Sequence, residues 1–307
     1  MGLKKAHIFI FSQAPFGEQA PRNNREELPM IMLKKLFSPV SSLDAEEARQ
    51  YMAEHQEGSY VILDVRQPVE YEEEHIPGAK LIPLPQLADA YPELDPEKPT
   101  LVHCAIGGRS RVAAQLLSGW GFTEIYNLAG GIKAFKGQKV AGPEELHLDL
   151  VRGDESPPEI LTLAYAMEKG LQGFYETVAA RTPDQELQGL AQKMSQVEVE
   201  HEKSFFALYQ EFVPGKDLAA FEAEIVPQVM EGGFTIQEFL EQNRDHLNTV
   251  KELLELAMML EGQALDLYLR FAHRSTDSRT RETLFHIANH EKAHLNTLGR
   301  LLEEKLG

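Results

Sequence analysis

Glu198-Val-Glu-His201 recurs 93 residues later as Glu291-Lys-Ala-His294. The same offset separates Glu168 from Glu261 and Tyr175 from Tyr268. Residues three apart share one face of a helix, so Glu198 and His201 can bind one ion and Glu291 and His294 another. Four helices that each turn one glutamate inward, two of them adding a histidine one turn later, would build a six-ligand cage for two metal ions. Hard carboxylate oxygens with two imidazoles suit iron or manganese, and four carboxylates balance two divalent charges.

A lone Glu-x-x-His on an acidic helix is ordinarily a solvated face. The neighbourhood argues otherwise. Glu168 lies in Leu161-Thr-Leu-Ala-Tyr-Ala-Met-Glu168 and Glu261 in Leu253-Leu-Glu-Leu-Ala-Met-Met-Leu-Glu261, both with apolar residues at helical spacing. Carboxylates on a buried face need partners, and metal supplies them to the whole set. The periodicity predicts helices over 194–209 and 281–302, the first carrying Phe205, Phe206 and Leu208 beyond His201. Residues 212–243, with Pro214, Gly215, Pro227, Gly232 and Gly233, are too long for a hairpin and fit a crossover between two helix pairs.

This half of the chain resembles the rubrerythrin branch of the ferritin-like family, whose di-metal bundles use this ligand set. The resemblance implies an all-α four-helix bundle over 159–307, two iron ions as cofactors with manganese or zinc as substitutes, and reduction of peroxide or dioxygen. It also implies a homodimer formed through the bundle. Many rubrerythrins add a glutamate where this chain has Ala264, so the six-ligand version is expected. Rubrerythrins proper carry a rubredoxin module with two C-x-x-C knuckles. One cysteine cannot build that module, so an external electron donor such as rubredoxin is expected.

That cysteine is Cys104, in Thr100-Leu-Val-His-Cys-Ala-Ile-Gly-Gly-Arg-Ser-Arg111. The apolar run reads as a buried strand, and a helix is expected to begin near Arg109. Cys104 then sits below a helix N-terminus, where loop N–H groups, the helix dipole and Arg109 favour thiolate. A buried structural cysteine is the ordinary alternative.

The preceding segment Tyr60-Val-Ile-Leu-Asp-Val-Arg66, then Glu70, Glu74-His-Ile-Pro-Gly-Ala79 and later Gly121 to Phe135, appear in the order of a rhodanese domain, which this region resembles closely. The resemblance implies an α/β domain, a parallel sheet flanked by helices, over 32–140, and sulfane-sulfur transfer through a persulfide on Cys104. Ala105, Ile106, Gly107, Gly108 and Ser110 would cradle it, and Arg109 would act beside it. The loop has the shorter length of sulfurtransferases; the related phosphatases carry one more residue. Ala105 stands where single-domain rhodaneses often have Arg or Lys, and Phe135 where the family usually has Trp. The implied partners are a small sulfane-sulfur donor and a thiol acceptor.

Asp64 and Arg66 are read as a buried ion pair steadying the loop. His75 and His103 are read as scaffold groups. Tyr175 and Tyr268 are read first as core, with a place beside the metal ligands as the alternative. His246, His273, His286 and His290 have no comparably tidy spacing, and His290, next to Glu291, is expected to point away from the metal. Glu198 and Glu291 are expected to bridge the ions.

A formal net charge of −18 makes nucleic acid a poor partner. No apolar run approaches the ~20 residues of a membrane span. A single cysteine suits a reducing, cytoplasmic location. Residues 1–31 are read as a poorly ordered extension and 141–158 as a linker rich in Gly, Pro and acidic residues. Together these features suggest a two-domain redox enzyme of sulfur and peroxide. The alternative is an iron-binding or sensing bundle with a sulfur-delivery or docking module.

Overall fold

A computed structural model describes residues 40–225 and 229–306. The extension expected over 1–31, and Pro227 of the crossover, lie outside them.

Short apolar runs make the strands. β1 (Ser41–Leu43) leads into α1 (Ala45–Glu54), whose N-cap Asp44 closes a capping box with Glu47. β2 (Val61–Asp64), α2 (Pro68–Glu73), β3 (Lys80–Leu81) and α3 (Leu87–Ala90) follow. β4 (Thr100–His103), α4 (Gly108–Gly119), β5 (Ile125–Leu128) and α5 (Gly131–Ala134) complete the sheet region. The strands are parallel in the order β1-β5-β4-β2-β3. β4, at the centre, is buried at every residue, which is why it reads as a continuous apolar run. Apolar clusters line both faces, one around Leu63, Val102 and Ala113, the other around Ile62, Tyr71 and Leu101.

The second half is a bundle of long helices. α6 (Pro157–Arg181) and α7 (Gln185–Phe212) form one hairpin. The crossover carries short helices α8 (Leu218–Glu222) and α9 (Ile236–Gln242). α10 (Val250–Arg274) and α11 (Ser278–Leu306) form the second hairpin. Helices expected over 194–209 and 281–302 are therefore longer at both ends. Ser156 and Thr249 start α6 and α10 with capping boxes. Two apolar clusters fill the bundle, one with Tyr165, Phe205, Tyr268 and Phe271, the other with Phe174, Tyr175, Leu187 and Leu253.

The stretch expected to be a linker is pinned along α10. Gln263 donates to the carbonyl of Ala141, Arg270 to those of Glu144 and Leu146, and Arg274 to that of Leu148. The two halves also meet through side chains. Asp266, fully buried, accepts from Gly78 N at 2.9 Å and Arg270 Nε at 2.7 Å, with His75 Nε2 at 3.3 Å. Lys292 of α11 reaches the carbonyls of Met52 and His55 and the Glu57 carboxylate. The ring of Phe285 packs where a side chain at Gly58 would stand.

Candidate functional sites: a cysteine loop and a carboxylate cage

β4 ends at His103, so Cys104 emerges at the carboxyl edge of the sheet, where loop amides converge. Gly107 takes φ +90°, a left-handed value that glycine adopts without strain, and its N–H points back at Sγ at 3.1 Å. Gly131 approaches so closely that a Cβ there would collide with the Cys104 carbonyl oxygen. Ser110, on the first turn of α4, places Oγ 3.4 Å from Sγ and 2.7 Å from Asn127 Oδ1. The hydroxyl has one proton. The nearer amide oxygen takes it beside a neutral thiol, and a thiolate competes for it. Burial alone would raise the Cys104 pKa. Hydrogen bonds from the Ser110 hydroxyl and from the N–H groups of Ser110, Ile106 and Gly107 outweigh it and bring the thiol below its ordinary value.

Arg109 spends its guanidinium on Glu70, in a two-pronged pair at 2.7 and 2.6 Å. The Arg109 hydrogen bond is the main cause that holds Glu70 down at about 2. The charge of Arg109 is still felt at Cys104, while the Ser110 hydroxyl supplies the side-chain hydrogen bond to Sγ. Ala105 and Ile106 form the outer turn of the loop, Ile106 exposed, and the carbonyls of Cys104 and Ala105 accept from the start of α5. Gly108 opens α4. Asp64 and Arg66 form a buried pair with Arg66 Nη2 at 2.6 Å, and the same nitrogen donates to the Glu74 carbonyl. His103 lies against Asp64 at 3.7 Å; burial lowers its pKa to about 4, leaving it neutral. Asn127 and Glu70 had no assigned role. A polar residue inside an apolar strand was the available signal for Asn127.

The six repeat residues converge. Glu168, Glu198, Glu261 and Glu291 are almost fully buried, between the two apolar clusters of the bundle. His201 Nδ1 lies 2.7 Å from Glu198 and 3.5 Å from Glu168; His294 Nδ1 lies 3.5 Å from Glu261 and 3.9 Å from Glu291. The two imidazoles stack with ring centroids 3.6 Å apart. Glu198, His201 and His294 bring ligand atoms within 4.8 Å of one another, and so do Glu261, Glu291 and His294. His294 thus belongs to both groups, where the spacing alone assigns it to one. Burial raises the Glu198 pKa against the opposing pull of His201. Four buried carboxylates with two imidazoles in overlapping triples are a donor set that fits two divalent ions. Tyr268 is buried with its hydroxyl 3.6 Å from Met167 Sδ, and Tyr175 is buried beside Phe174. His290 is in neither ligand triple. It lines one cavity with His294, because residues four apart share a helix face.

The Rhodanese-like domain family matches residues 45–138 and the Rubrerythrin family residues 159–302. The first region is 38% identical over 118 residues to the rhodanese-like/PpiC domain-containing protein 12 of Arabidopsis thaliana, covering 35% of this chain and 38% of that protein. It is 47% identical over 77 residues to the uncharacterized protein YqhL of Bacillus subtilis, covering 25% of this chain and 61% of that one. It is 43% identical over 76 residues to the thiosulfate sulfurtransferase GlpE of Coxiella burnetii, covering 25% of this chain and 71% of that one. The chain thus spans less than two thirds of the first two relatives. Among the described residues no helix is long and apolar enough to cross a membrane.

Proposed function

Because the chain belongs to the rhodanese-like family through residues 45–138 and to the rubrerythrin family through residues 159–302, we propose that it is a two-centre redox enzyme. One centre moves sulfane sulfur on Cys104 and the other uses two iron ions to reduce peroxide or dioxygen. The observation that carries this reading is the Cys104 loop, a buried thiol with Gly107 N–H and Ser110 Oγ aimed at it and its pKa lowered.

The Cys104 thiolate attacks the outer sulfur of thiosulfate, the substrate named for the Coxiella relative. A bond forms between the two sulfurs, the bond to the sulfonyl sulfur breaks, and sulfite leaves with the electron pair. The N–H groups of Ile106, Gly107 and Ser110 hold the negative charge of the resulting persulfide. A thiol in its thiolate form then takes the terminal sulfur and restores Cys104. That acceptor is a small mobile thiol. Lys292 of α11 touches residues 52–60, before β2, whereas Cys104 follows β4, and β2 and β4 are parallel and in register, Val61 with Thr100 and Asp64 with His103. The Lys292 contacts of the bundle thus lie at the opposite edge of the sheet from the thiol.

In the bundle, Glu168, Glu198, His201, Glu261, Glu291 and His294 would hold the metal. When bound, two iron ions supply the electrons and Lewis acidity that peroxide reduction needs. The residues hold six donors in place.

Transfer of sulfur from thiosulfate to cyanide tests the first centre. Wild-type protein turns over and Cys104→Ser does not, because a serine hydroxyl is not ionised at neutral pH and the chain has no second thiol. Cys104→Ser protein with wild-type turnover would overturn the assignment.

A further inference from the structure

On α11, Glu282, His286, His290 and His294 stand four residues apart and so share one face. Their exposure falls along the series. Glu282 and His286 are exposed, His290 is half-buried, and the His294 side chain is 19% exposed. All four line one cavity of about 570 Å³, whose far wall is Gln56, Glu57 and Gly58 of the sheet domain. Among its lining residues is His294, which belongs to both ligand triples. The rings of His286 and His290 lie 5.1 Å apart, and His290 is held edge-on by Phe205 at 6.0 Å.

The internal repeat supplies a control. Positions 93 residues before Glu282, His286 and His290 are Gly189, Lys193 and Val197 on α7. None of these can ligate a metal at neutral pH, as a glycine, an ammonium and an aliphatic side chain. The cage ligands follow the repeat and the outer histidines do not, so the row is not a by-product of it. It occurs on α11, one of the two helices that face the domain junction.

We propose that Glu282, His286 and His290 form a ladder that passes divalent cations from solvent to the cage. Exposed Glu282 draws the ion to the mouth, and each imidazole then offers one nitrogen lone pair. Two imidazoles are too few to retain an ion. Among the described residues, groups of three or more close ligands occur only in the cage. Weak, successive ligation is what transit requires, and tight ligation in the cage makes the transit one-way.

The ladder rests on the reading that the cage binds metal, and the test separates the two. Metal-free full-length protein is mixed with cobalt(II), and visible absorbance follows loading. Wild type is expected to take up two equivalents. His286→Ala/His290→Ala is expected to reach the same final spectrum about tenfold more slowly, the low end of what a focusing cleft adds to an on-rate. Lys193→Ala, at the counterpart position, is expected to load at the wild-type rate. Equal rates in wild type and the double variant would overturn the ladder while leaving the cage intact. Failure of wild type to take up cobalt would overturn the cage and the ladder with it. If the double variant stops short of two equivalents, His286→Ala, at an exposed position, decides. Slower loading supports the ladder and an unchanged rate overturns it.

Discussion

Ser110 holds a hydroxyl between a thiol and an amide oxygen, and its removal isolates what that hydroxyl does for Cys104. In Ser110→Ala the burial that raises the thiol pKa stays, and the largest opposing hydrogen bond is lost. The pH midpoint for alkylation of Cys104 should therefore move upward, and the rate at pH 7 should fall. A midpoint unchanged or lower would contradict the electrostatics assigned to the loop. Arg109→Ala makes a different prediction. Its guanidinium serves Glu70, so the Glu70 pKa should rise from about 2 toward the ordinary carboxylate range, as seen by NMR titration. The Cys104 cradle was legible in the sequence because Gly-Gly after a strand dictates a tight, amide-lined turn. The division of labour within it was not. Which loop residue faces the sulfur depends on the first turn of α4, and Asn127 enters from a strand 23 residues further along the chain.

At the scale of the helix, the 93-residue repeat makes the cage legible in the sequence. Helical geometry converts spacing into position with little freedom. The same geometry applied to residues four apart would have exposed the His286, His290, His294 row. The crossover helices α8 and α9 were not legible, since short helices owe their existence to packing more than to propensity. Replacing both Glu198 and Glu291 by Ala should leave the bundle helical by circular dichroism and abolish the binding of two equivalents of metal. Retention of both equivalents would contradict the ligand assignment.

For the whole molecule, the junction carries the account. Asp266 gathers a backbone N–H from Gly78, the Arg270 guanidinium and the His75 imidazole in a fully buried place. No local signal marks the pairing across the junction, because Gly78 lies 188 residues from Asp266. Asp266→Ala leaves Arg270 buried without its carboxylate, which should cost about 3–5 kcal/mol in urea unfolding. Burial alone would raise the Asp266 pKa, but His75 and Arg270 bring it below its ordinary 3.8. A depressed carboxylate stabilises the fold above its unfolded pKa and loses that contribution as pH falls through the folded value. The difference between wild type and Asp266→Ala should therefore be full at neutral pH and shrink only below about pH 4.

In this reading one chain holds a sulfur centre on Cys104 and a two-metal centre on the six bundle ligands. Native mass spectrometry of the full chain, reconstituted anaerobically with ferrous iron and then given thiosulfate, reads both at once. The predicted wild-type mass gain is two iron ions and one sulfur atom. Cys104→Ser should keep the iron and lose the sulfur, and Glu198→Ala/Glu291→Ala should keep the sulfur and lose the iron. A wild-type protein that gains neither, or a Cys104→Ser protein that still gains sulfur, would contradict the account.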